Sequence, residues 1–279
     1  MKIFLTGCNG QLGKEFVKYF DAHSSQYEYK GTDFLDLDIT NLKRVTEVIK
    51  SYKPDLIINC AAYNLVDEAE TDSKIAYNVN ELGVINLSTV AKILGVRLIH
   101  FSTDYVFDGS LNRVYTEDDL TNPVNIYGKS KLAGEERVLE SDNNLVFRLS
   151  WVYGDGNQNF IYKFLNWYKN QDLVMISDNE ISIPTSTKVV VENTIKALEY
   201  DLTGLWHLTN SRYCSRYNWV KEIIKIKSLK VKITPMNIEH FGLRAKRPLF
   251  SAMSNANLCK ELDIEIPDWK ESLKDFLLK

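Results

Sequence analysis

Thr103 and the pair Tyr127–Lys131 carry the side chains that could protonate a carbonyl oxygen while a hydride attacks its carbon. Thr103 ends an apolar, strand-like segment that begins at Leu98, and Tyr127 and Lys131 lie one turn apart on one face of a predicted helix. A nearby ammonium group lowers the pKa of a tyrosine from its ordinary value of about 10. Tyr127 could therefore donate the proton, with Thr103 hydrogen-bonded to the same oxygen.

A second pair with the same spacing, Tyr217–Lys221, shows that Tyr-x-x-x-Lys alone is weak evidence. With 15 tyrosines in the chain, about one such match arises by chance. Only the first pair follows a strand that ends in hydroxyls and precedes another predicted strand, 145–149. This order places it at the carboxyl edge of a parallel sheet, where such folds bind ligands. We therefore take Tyr127 as the catalytic candidate and Tyr217 as ordinary packing.

A glycine-rich turn between the first predicted strand and the first predicted helix is typical of a dinucleotide-binding site. Glycine lets the backbone turn sharply and approach a pyrophosphate, and the helix N-terminus offers free N–H groups to the anion. The spacing is GxxGxxG in place of the commoner GxGxxG. The turn predicts an NADH or NADPH site made by Gly7, Gly10, Gln11, Leu12 and Gly13.

Residues after the second and third strands extend this predicted cofactor site. Asp33 follows a probable second strand, and its carboxylate could bind the adenosine ribose and repel a 2′-phosphate, which favours NADH over NADPH. Asp36 and Asp38 compete for that role, with Ile39 beside them, because the whole loop is acidic; at least one of the acids serves only in a solvated turn. After the third strand, the backbone could approach the cofactor at Ala61, Ala62 and Tyr63.

The first half of the chain alternates apolar strands with helical patterns, which predicts βαβ units and a parallel sheet covered on both faces. The fold class is therefore α/β, a doubly wound NAD(P)-binding Rossmann fold. The predicted strands cover 2–6, 27–30, 56–60, 96–101 and 145–149, and the predicted helices cover 12–20, 42–50, 73–94 and 129–140.

The pattern changes near residue 150, where aromatic and loop residues become frequent. We predict a dinucleotide-binding domain over 1–150 and a mainly substrate-binding lobe over 151–279. The lobe is expected to return to the sheet near 204–210. It should also contain a helix over 217–226 that begins at Ser215, a good N-cap residue.

Composition excludes several classes of function. The net charge of −3 over 279 residues lacks the basic footprint of a nucleic-acid-binding protein. No run of about 18 apolar residues is long enough to span a membrane, and the N-terminal apolar run is too short for a signal peptide. The four scattered cysteines fit a reducing compartment. We expect a cytoplasmic enzyme, monomer or homodimer, that binds neither nucleic acid nor membrane.

Four segments together carry a resemblance to a known family, and they stand at 7–13, 59–70, 102–109 and 127–135. The segment 102–109 (Ser-Thr-Asp-Tyr-Val-Phe-Asp-Gly) is far more specific than the glycines. In these segments the chain resembles the extended short-chain dehydrogenase/reductases, and within them the dTDP-4-dehydrorhamnose reductases. The resemblance implies NAD(P)H-dependent reduction of the C4 keto group of a nucleotide-linked 6-deoxyhexose. It makes Thr103, Tyr127 and Lys131 the catalytic triad, with Lys131 also on the cofactor ribose.

The same resemblance implies a substrate-binding set formed by Val66, Asp104, Tyr105 and Trp151 beside Thr103, with the ring of Trp151 packed on the hexose. Two stretches depart from the family pattern: Asn179–Thr185 replaces Asp-Gln-x-Gly-x-Pro-Thr, and Arg247–Ser251 has phenylalanine for asparagine at 250. Another nucleotide-4-ketosugar as substrate and a non-catalytic, cofactor-binding regulatory subunit remain as alternatives. No metal site is expected. The cationic candidates for the substrate diphosphate are Arg212, Arg216, Arg244, Lys246 and Arg247.

Overall fold

The computed structural model describes residues 1–171 and 173–278. Its strands are β1 (Lys2–Thr6), β2 (Glu28–Thr32), β3 (Leu56–Asn59), β4 (Arg97–Thr103), β5 (Leu145–Leu149), β6 (Val152–Tyr153), β7 (Leu173–Ser177), β8 (Ile181–Ser182), β9 (Thr185–Ser186), β10 (Gly204–His207), β11 (Cys214–Ser215) and β12 (Lys232–Met236). Its helices are α1 (Gln11–Ala22), α2 (Leu42–Tyr52), α3 (Val66–Ala69), α4 (Ser73–Tyr77), α5 (Gly83–Leu94), α6 (Ile126–Leu139), α7 (Phe160–Asn170), α8 (Thr187–Glu199), α9 (Arg216–Lys227), α10 (Ala256–Leu262) and α11 (Trp269–Leu277).

Six parallel strands form the central sheet in the order β10-β5-β4-β3-β1-β2. Apolar clusters cover both faces, one centred on Leu5, Phe16 and Phe147 and the other on Phe4 and Val146. Burial on both faces explains why the strands are continuous apolar runs without alternation. The predicted doubly wound α/β fold is confirmed. β1 stands between β2 and β3, so the turn that follows β1 lies where the chain order reverses, the ligand-binding point of such sheets.

The C-terminal part builds a smaller lobe on an aromatic core that includes Trp151, Phe164 and Trp219. Its short strands pair as β7 with β12, β8 with β11, and β6 with β9. The chain returns to the central sheet at β10, which pairs with β5 in parallel register. Helix α9 begins where the sequence predicted, since the hydroxyl of Ser215 accepts a hydrogen bond from the Asn218 N–H.

The long helix predicted over 73–94 is interrupted. A π-helical turn, Asn78–Leu82, joins α4 to α5. There the buried side chain of Asn80 donates to the Tyr63 carbonyl oxygen and to Ser130 Oγ, and its amide oxygen accepts from the Tyr63 N–H. The π turn therefore ties the loop after β3 to α6, a functional use that such turns often have. Within the described ranges, no helix has the length and apolarity needed to cross a membrane.

Candidate active site

The carboxyl ends of β1, β3, β4 and β5 open into a cleft of about 300 Å³ between the sheet and the C-terminal lobe. Twelve of the predicted site residues line it. These are Gly10, Gln11, Leu12, Ala61, Ala62, Val66, Thr103, Asp104, Tyr105, Tyr127, Lys131 and Trp151. The cleft thus brings together residues from the glycine-rich turn, from the end of β4 and from the first turns of α6.

The three glycines of the turn are required for different reasons. Gly7 has φ +66° and lies so close to Ala61 that a Cβ would stand 2.6 Å from its backbone nitrogen. A Cβ on Gly13 would overlap the Gly7 carbonyl oxygen. At Gly10, by contrast, a Cβ would meet only the Gly7 oxygen, at 3.3 Å, and the backbone has φ −69°. The protein itself leaves room at Gly10, as a ligand approaching the backbone would need.

Two further features of the cleft fit a dinucleotide. Helix α1 has no side-chain cap, so its first N–H groups are available to an anion. The hydroxyl of Ser102 is buried, lines the cleft and has no hydrogen-bond partner among the residues that the structure describes. Buried hydroxyls are normally paired, so this one is available to a ligand. The N-terminus of α1 could therefore bind the pyrophosphate of a dinucleotide, and Ser102 could bind a polar group of the same ligand.

The acidic loop after β2 lies outside the cleft lining. Asp33 accepts hydrogen bonds from the N–H groups of Asn9, at 2.9 Å, and Phe34, and so braces the glycine-rich turn. One oxygen of Asp38 accepts from the N–H and hydroxyl of Thr40. The Ile39 side chain is buried in the core, so this residue can reach a cofactor only through its backbone.

Tyr127 stands at the start of α6, which Asn125 caps through the Gly128 N–H at 2.7 Å. Its hydroxyl donates to Asn64 Oδ1 at 3.3 Å, and its ring meets the Tyr105 ring edge to face. Burial raises the pKa of Tyr127 to about 12, although a hydrogen bond with Thr103 opposes the shift. Burial is the largest effect on this pKa, and the lowering by Lys131 stays a prediction. The phenol is therefore protonated at neutral pH.

Lys131 is enclosed below Tyr127. Its ammonium donates to the Phe101 carbonyl oxygen at 2.6 Å and lies 3.5 Å from His100 Nε2. Burial lowers the pKa of Lys131 to about 8, with Glu135 and Cys60 acting in the opposite direction. This lysine can therefore change charge slightly above neutral pH, far below the ordinary range of the side chain.

Asp104 lines the cleft, but its carboxylate is buried and already hydrogen-bonded. Its Oδ2 accepts from Ser182 Oγ at 2.8 Å and Ser251 Oγ at 2.5 Å, and its Oδ1 accepts from Thr103 Oγ1 at 3.2 Å. Burial raises the pKa of this carboxyl to about 6, with the three hydroxyls opposing the shift. The geometry of Asp104 suits it to orient Thr103, and its direct contact with the sugar stays a prediction. Ser182, one of the departures from the family pattern, takes part in this contact.

Trp151 lies in the cleft wall with φ +40°, and its ring is already covered. The guanidinium carbon of Arg216 stands 3.5 Å from the ring centroid, and Trp219 stacks nearly parallel to it. Arg216 in turn donates through Nε to Glu180, which also accepts from the Tyr105 hydroxyl. A hexose could pack on the ring face that Arg216 covers only if Arg216 moved, and the packing of the sugar on Trp151 stays a prediction.

The remaining candidates separate clearly. Tyr217 packs into the lobe core and Lys221 is exposed, so neither joins the cleft. Asn64 and Gln158 do line it but had no role in the sequence analysis. Asn64 lies in the segment 59–70 that carries the family resemblance, whereas Gln158 lies in a segment without any recognisable signal. Among the described residues, no group of three His, Cys, Asp or Glu side chains is placed to hold a metal ion.

A family model, RmlD substrate binding domain, matches this chain over residues 1–279. The chain belongs to this family. Resemblance to dTDP-4-dehydrorhamnose reductases is thereby confirmed, because RmlD-like relatives with that name align over almost the full length. A crystal structure of a dTDP-4-dehydrorhamnose reductase from Clostridium acetobutylicum is 37% identical, with a TM-score of 0.95 and coverage of 99% of this chain and 98% of that one.

Two other RmlD-like relatives bear on the cofactor and on the breadth of the family. The dTDP-4-dehydrorhamnose reductase of Bacillus anthracis was solved in complex with NADP; it is 33% identical, with a TM-score of 0.95 and coverage of 99% and 98%. The spore coat polysaccharide biosynthesis protein SpsK of Bacillus subtilis is 32% identical and covers 99% of this chain and 96% of its own length. The predictions of a nicotinamide dinucleotide as cofactor and of a ketoreductase as the class of enzyme are thus confirmed for the family.

Proposed function

We propose that this protein reduces the C4 keto group of a nucleotide-linked 6-deoxy-4-ketohexose with NADH or NADPH, and that dTDP-4-dehydrorhamnose is its substrate. The observation that carries the proposal is the presence of Thr103, Tyr127 and Lys131 in one cleft that the glycine-rich turn also lines. Residues 1–150 would bind the cofactor and residues 151–279 mainly the substrate, in a cytoplasmic monomer or homodimer.

Tyr127 is the proposed proton donor. A bound reduced nicotinamide supplies the hydride for the carbonyl carbon, and the oxygen that becomes an alkoxide then needs a proton. With its pKa raised to about 12, Tyr127 holds that proton at neutral pH. Thr103 Oγ1 accepts from the Tyr105 N–H at 3.2 Å, which fixes the hydroxyl beside the phenol. Its own proton can then turn from Asp104 to the substrate oxygen.

The cofactor site has a test at Gly10. We expect Gly10→Ala to raise the dissociation constant for NADPH about tenfold or more, equivalent to about 1.4 kcal/mol. The added methyl group would occupy the space through which the pyrophosphate approaches the backbone. Thermal unfolding should change little, since the backbone at Gly10 suits alanine. Fluorescence titration of the reduced cofactor measures the first effect. Unchanged binding would remove Gly10 from the cofactor site.

A second cavity of about 460 Å³ continues from the cleft into the C-terminal lobe and suits the nucleotide part of the substrate. It combines aromatic rings, such as Phe160 and Trp167, with the cations Arg216, Arg247 and Lys163. The Arg247 guanidinium is held by Asp67 in a two-pronged ion pair. Aromatic rings can stack on a nucleotide base, and guanidinium groups can form paired hydrogen bonds to a diphosphate.

Arg216 is the proposed diphosphate ligand. Among the described residues, only the Nε of its guanidinium has an acceptor, Glu180, and its side chain lines both cavities. We expect Arg216→Ala to raise KM about 10–100-fold with a smaller change in kcat. This increase corresponds to the loss of one or two hydrogen bonds to a charged group. Arg44→Ala, on an exposed face of α2, is the matched control and should leave both constants unchanged. A loss confined to kcat would place Arg216 in another role.

The proposed reaction is tested by oxidation of NADH and of NADPH with enzymatically prepared dTDP-4-dehydrorhamnose, followed by absorbance, with the product identified as dTDP-rhamnose. The same assay with UDP- and GDP-linked 4-ketosugars separates the nucleotide and sugar alternatives. If the protein turns over only another ketosugar, the substrate assignment is wrong and the assignment of the reduction at C4 stands. Tight cofactor binding without turnover of any ketosugar would favour a regulatory subunit.

A further inference from the structure

A buried line of hydrogen-bonding side chains runs from β1 to the catalytic lysine. Thr6 Oγ1 donates to Asn59 Oδ1 at 2.6 Å, and Asn59 Nδ2 lies 3.0 Å from His100 Nδ1. The other ring nitrogen, Nε2, lies 3.5 Å from Lys131 Nζ. Asn59 and His100 are each 1% exposed and Lys131 is 2% exposed. These side chains are thus almost entirely shielded from solvent, and their proton positions depend mainly on one another.

The orientation of the Asn59 amide is fixed by the backbone. The Ala61 N–H can only donate, and it donates to Asn59 Oδ1 at 3.1 Å. The amide nitrogen must therefore face His100. Because that nitrogen also can only donate, His100 Nδ1 must accept and carries no proton. A neutral His100 consequently has its proton on Nε2, the nitrogen that faces Lys131.

This tautomer presents an N–H donor to Lys131. An ammonium group has no lone pair to accept it, so the two donors repel one another. A neutral amine has one lone pair, which can accept from His100 Nε2–H while one amine hydrogen still binds the Phe101 carbonyl oxygen. Burial and the nearby Lys131 hold the pKa of His100 well below its ordinary range, so the ring itself stays neutral.

The other groups that face Lys131 do not cancel this effect. Burial raises the pKa of the Cys60 thiol, and that of Tyr127, so both stay uncharged at neutral pH. The Glu135 carboxylate, one turn further along α6, favours the ammonium form of Lys131. Both of its oxygens are, however, engaged by the Arg148 guanidinium, which offsets that charge.

We propose that Asn59 and His100 act as a tautomer lock on Lys131: Asn59 keeps the His100 proton on Nε2, and that N–H favours the neutral amine over the ammonium. His100 is thus a positioning residue that acts on the charge of the catalytic lysine. The role of that charge in turnover rests on the proposed function. The lock itself is a property of the cofactor-free protein.

The lock is tested by NMR of the cofactor-free protein with ¹⁵N-labelled histidine. We expect the His100 resonances, identified by their loss in His100→Gln, to show a protonated Nε2 and a bare Nδ1. In Asn59→Asp the carboxylate accepts from the ring, so the proton should move to Nδ1. The proposal would be overturned if the His100 ring of the wild-type protein carried its proton on Nδ1. It would also be overturned if Asn59→Asp left the His100 proton on the same nitrogen as in the wild-type protein.

The effect on Lys131 is measured by titration of ¹³Cε-labelled lysines, with the Lys131 signal assigned by its absence in Lys131→Arg. His100→Gln should move the midpoint of Lys131 up by about one pH unit, because the amide can turn its oxygen toward the ammonium. His207→Gln, at a histidine buried beside Arg148, is the control and should not move it. An unchanged midpoint in His100→Gln contradicts the proposal.

A kinetic measurement joins the lock to turnover. If the ammonium form is the active one, kcat/KM should fall as pH rises through about 8, and His100→Gln should shift that limb upward with the NMR midpoint. If His100→Gln moves the NMR midpoint of Lys131 but not the alkaline limb of kcat/KM, the charge of Lys131 does not limit turnover. That result would overturn the proposed link between the lock and turnover. Absence of any reductase activity would count against the proposed function and leave the NMR result standing.

Discussion

Tyr127→Phe is expected to lower kcat about 10²–10⁴-fold, the usual contribution of a positioned general acid. The substitution removes one hydroxyl and keeps the ring, which packs against Tyr105 edge to face. The fold and the affinity for NADPH should therefore remain. The lost hydrogen bond to Asn64 is long, at 3.3 Å, and should cost little stability. Oxidation of the reduced nicotinamide by the ketosugar measures kcat, and cofactor fluorescence measures binding.

The chain offers a matched control for this experiment. Tyr217 has the same spacing to a lysine, Lys221, but its ring packs in the core of the C-terminal lobe and its lysine is exposed. Tyr217→Phe should keep wild-type kcat and KM. If Tyr127→Phe retains more than about a tenth of wild-type kcat, a different group donates the proton and the assignment of Tyr127 is wrong.

The contrast between these two pairs shows what the sequence can predict. Helical spacing put both lysines one turn from a tyrosine, and only the order of strands around Tyr127 distinguished them. The order is informative because parallel strands end at one edge, so Thr103 at the end of β4 and Tyr127 at the start of α6 must meet there. The fold class and this edge could therefore be predicted from periodicity and chain order.

Contacts that depend on the C-terminal lobe could not be predicted in the same way. Asp104 follows a strand end, which suggests exposure to a substrate, yet Ser182 and Ser251 cover it. Arg216 was one of five candidate cations, and nothing in the local sequence places it over Trp151. These contacts join residues far apart in the chain and between short, irregular strands, where no periodic pattern records which side chains face one another.

His100 shows a third kind of limit. Its place in a buried apolar strand is evident from the sequence, and a buried histidine there has the appearance of ordinary core packing. Its effect on Lys131 depends on which nitrogen carries a proton, and that depends on a single N–H donor at Ala61. Protonation follows from the full hydrogen-bond network, which exists only after folding.

The helix that carries Tyr127 and Lys131 is held to the sheet by a buried ion pair. Glu135 on α6 accepts two hydrogen bonds from Arg148 on β5, at 2.5 and 3.0 Å, and the two side chains are 2% and 3% exposed. Glu135→Ala would leave a guanidinium without its partner in the interior. Loss of one partner of such a pair destabilises a protein by about 3–5 kcal/mol, and we expect that loss in urea unfolding.

Two comparisons separate the ion pair from general damage to α6. Glu140→Ala removes an exposed carboxylate at the end of the same helix, where it pairs with Arg137, and should leave the unfolding midpoint nearly unchanged. The double change Glu135→Leu with Arg148→Met should be more stable than Glu135→Leu alone, because it removes the stranded charge together with its partner. If the double variant is the less stable, the cost arises from packing. The ion pair would then not be what holds Tyr127 and Lys131 against the sheet.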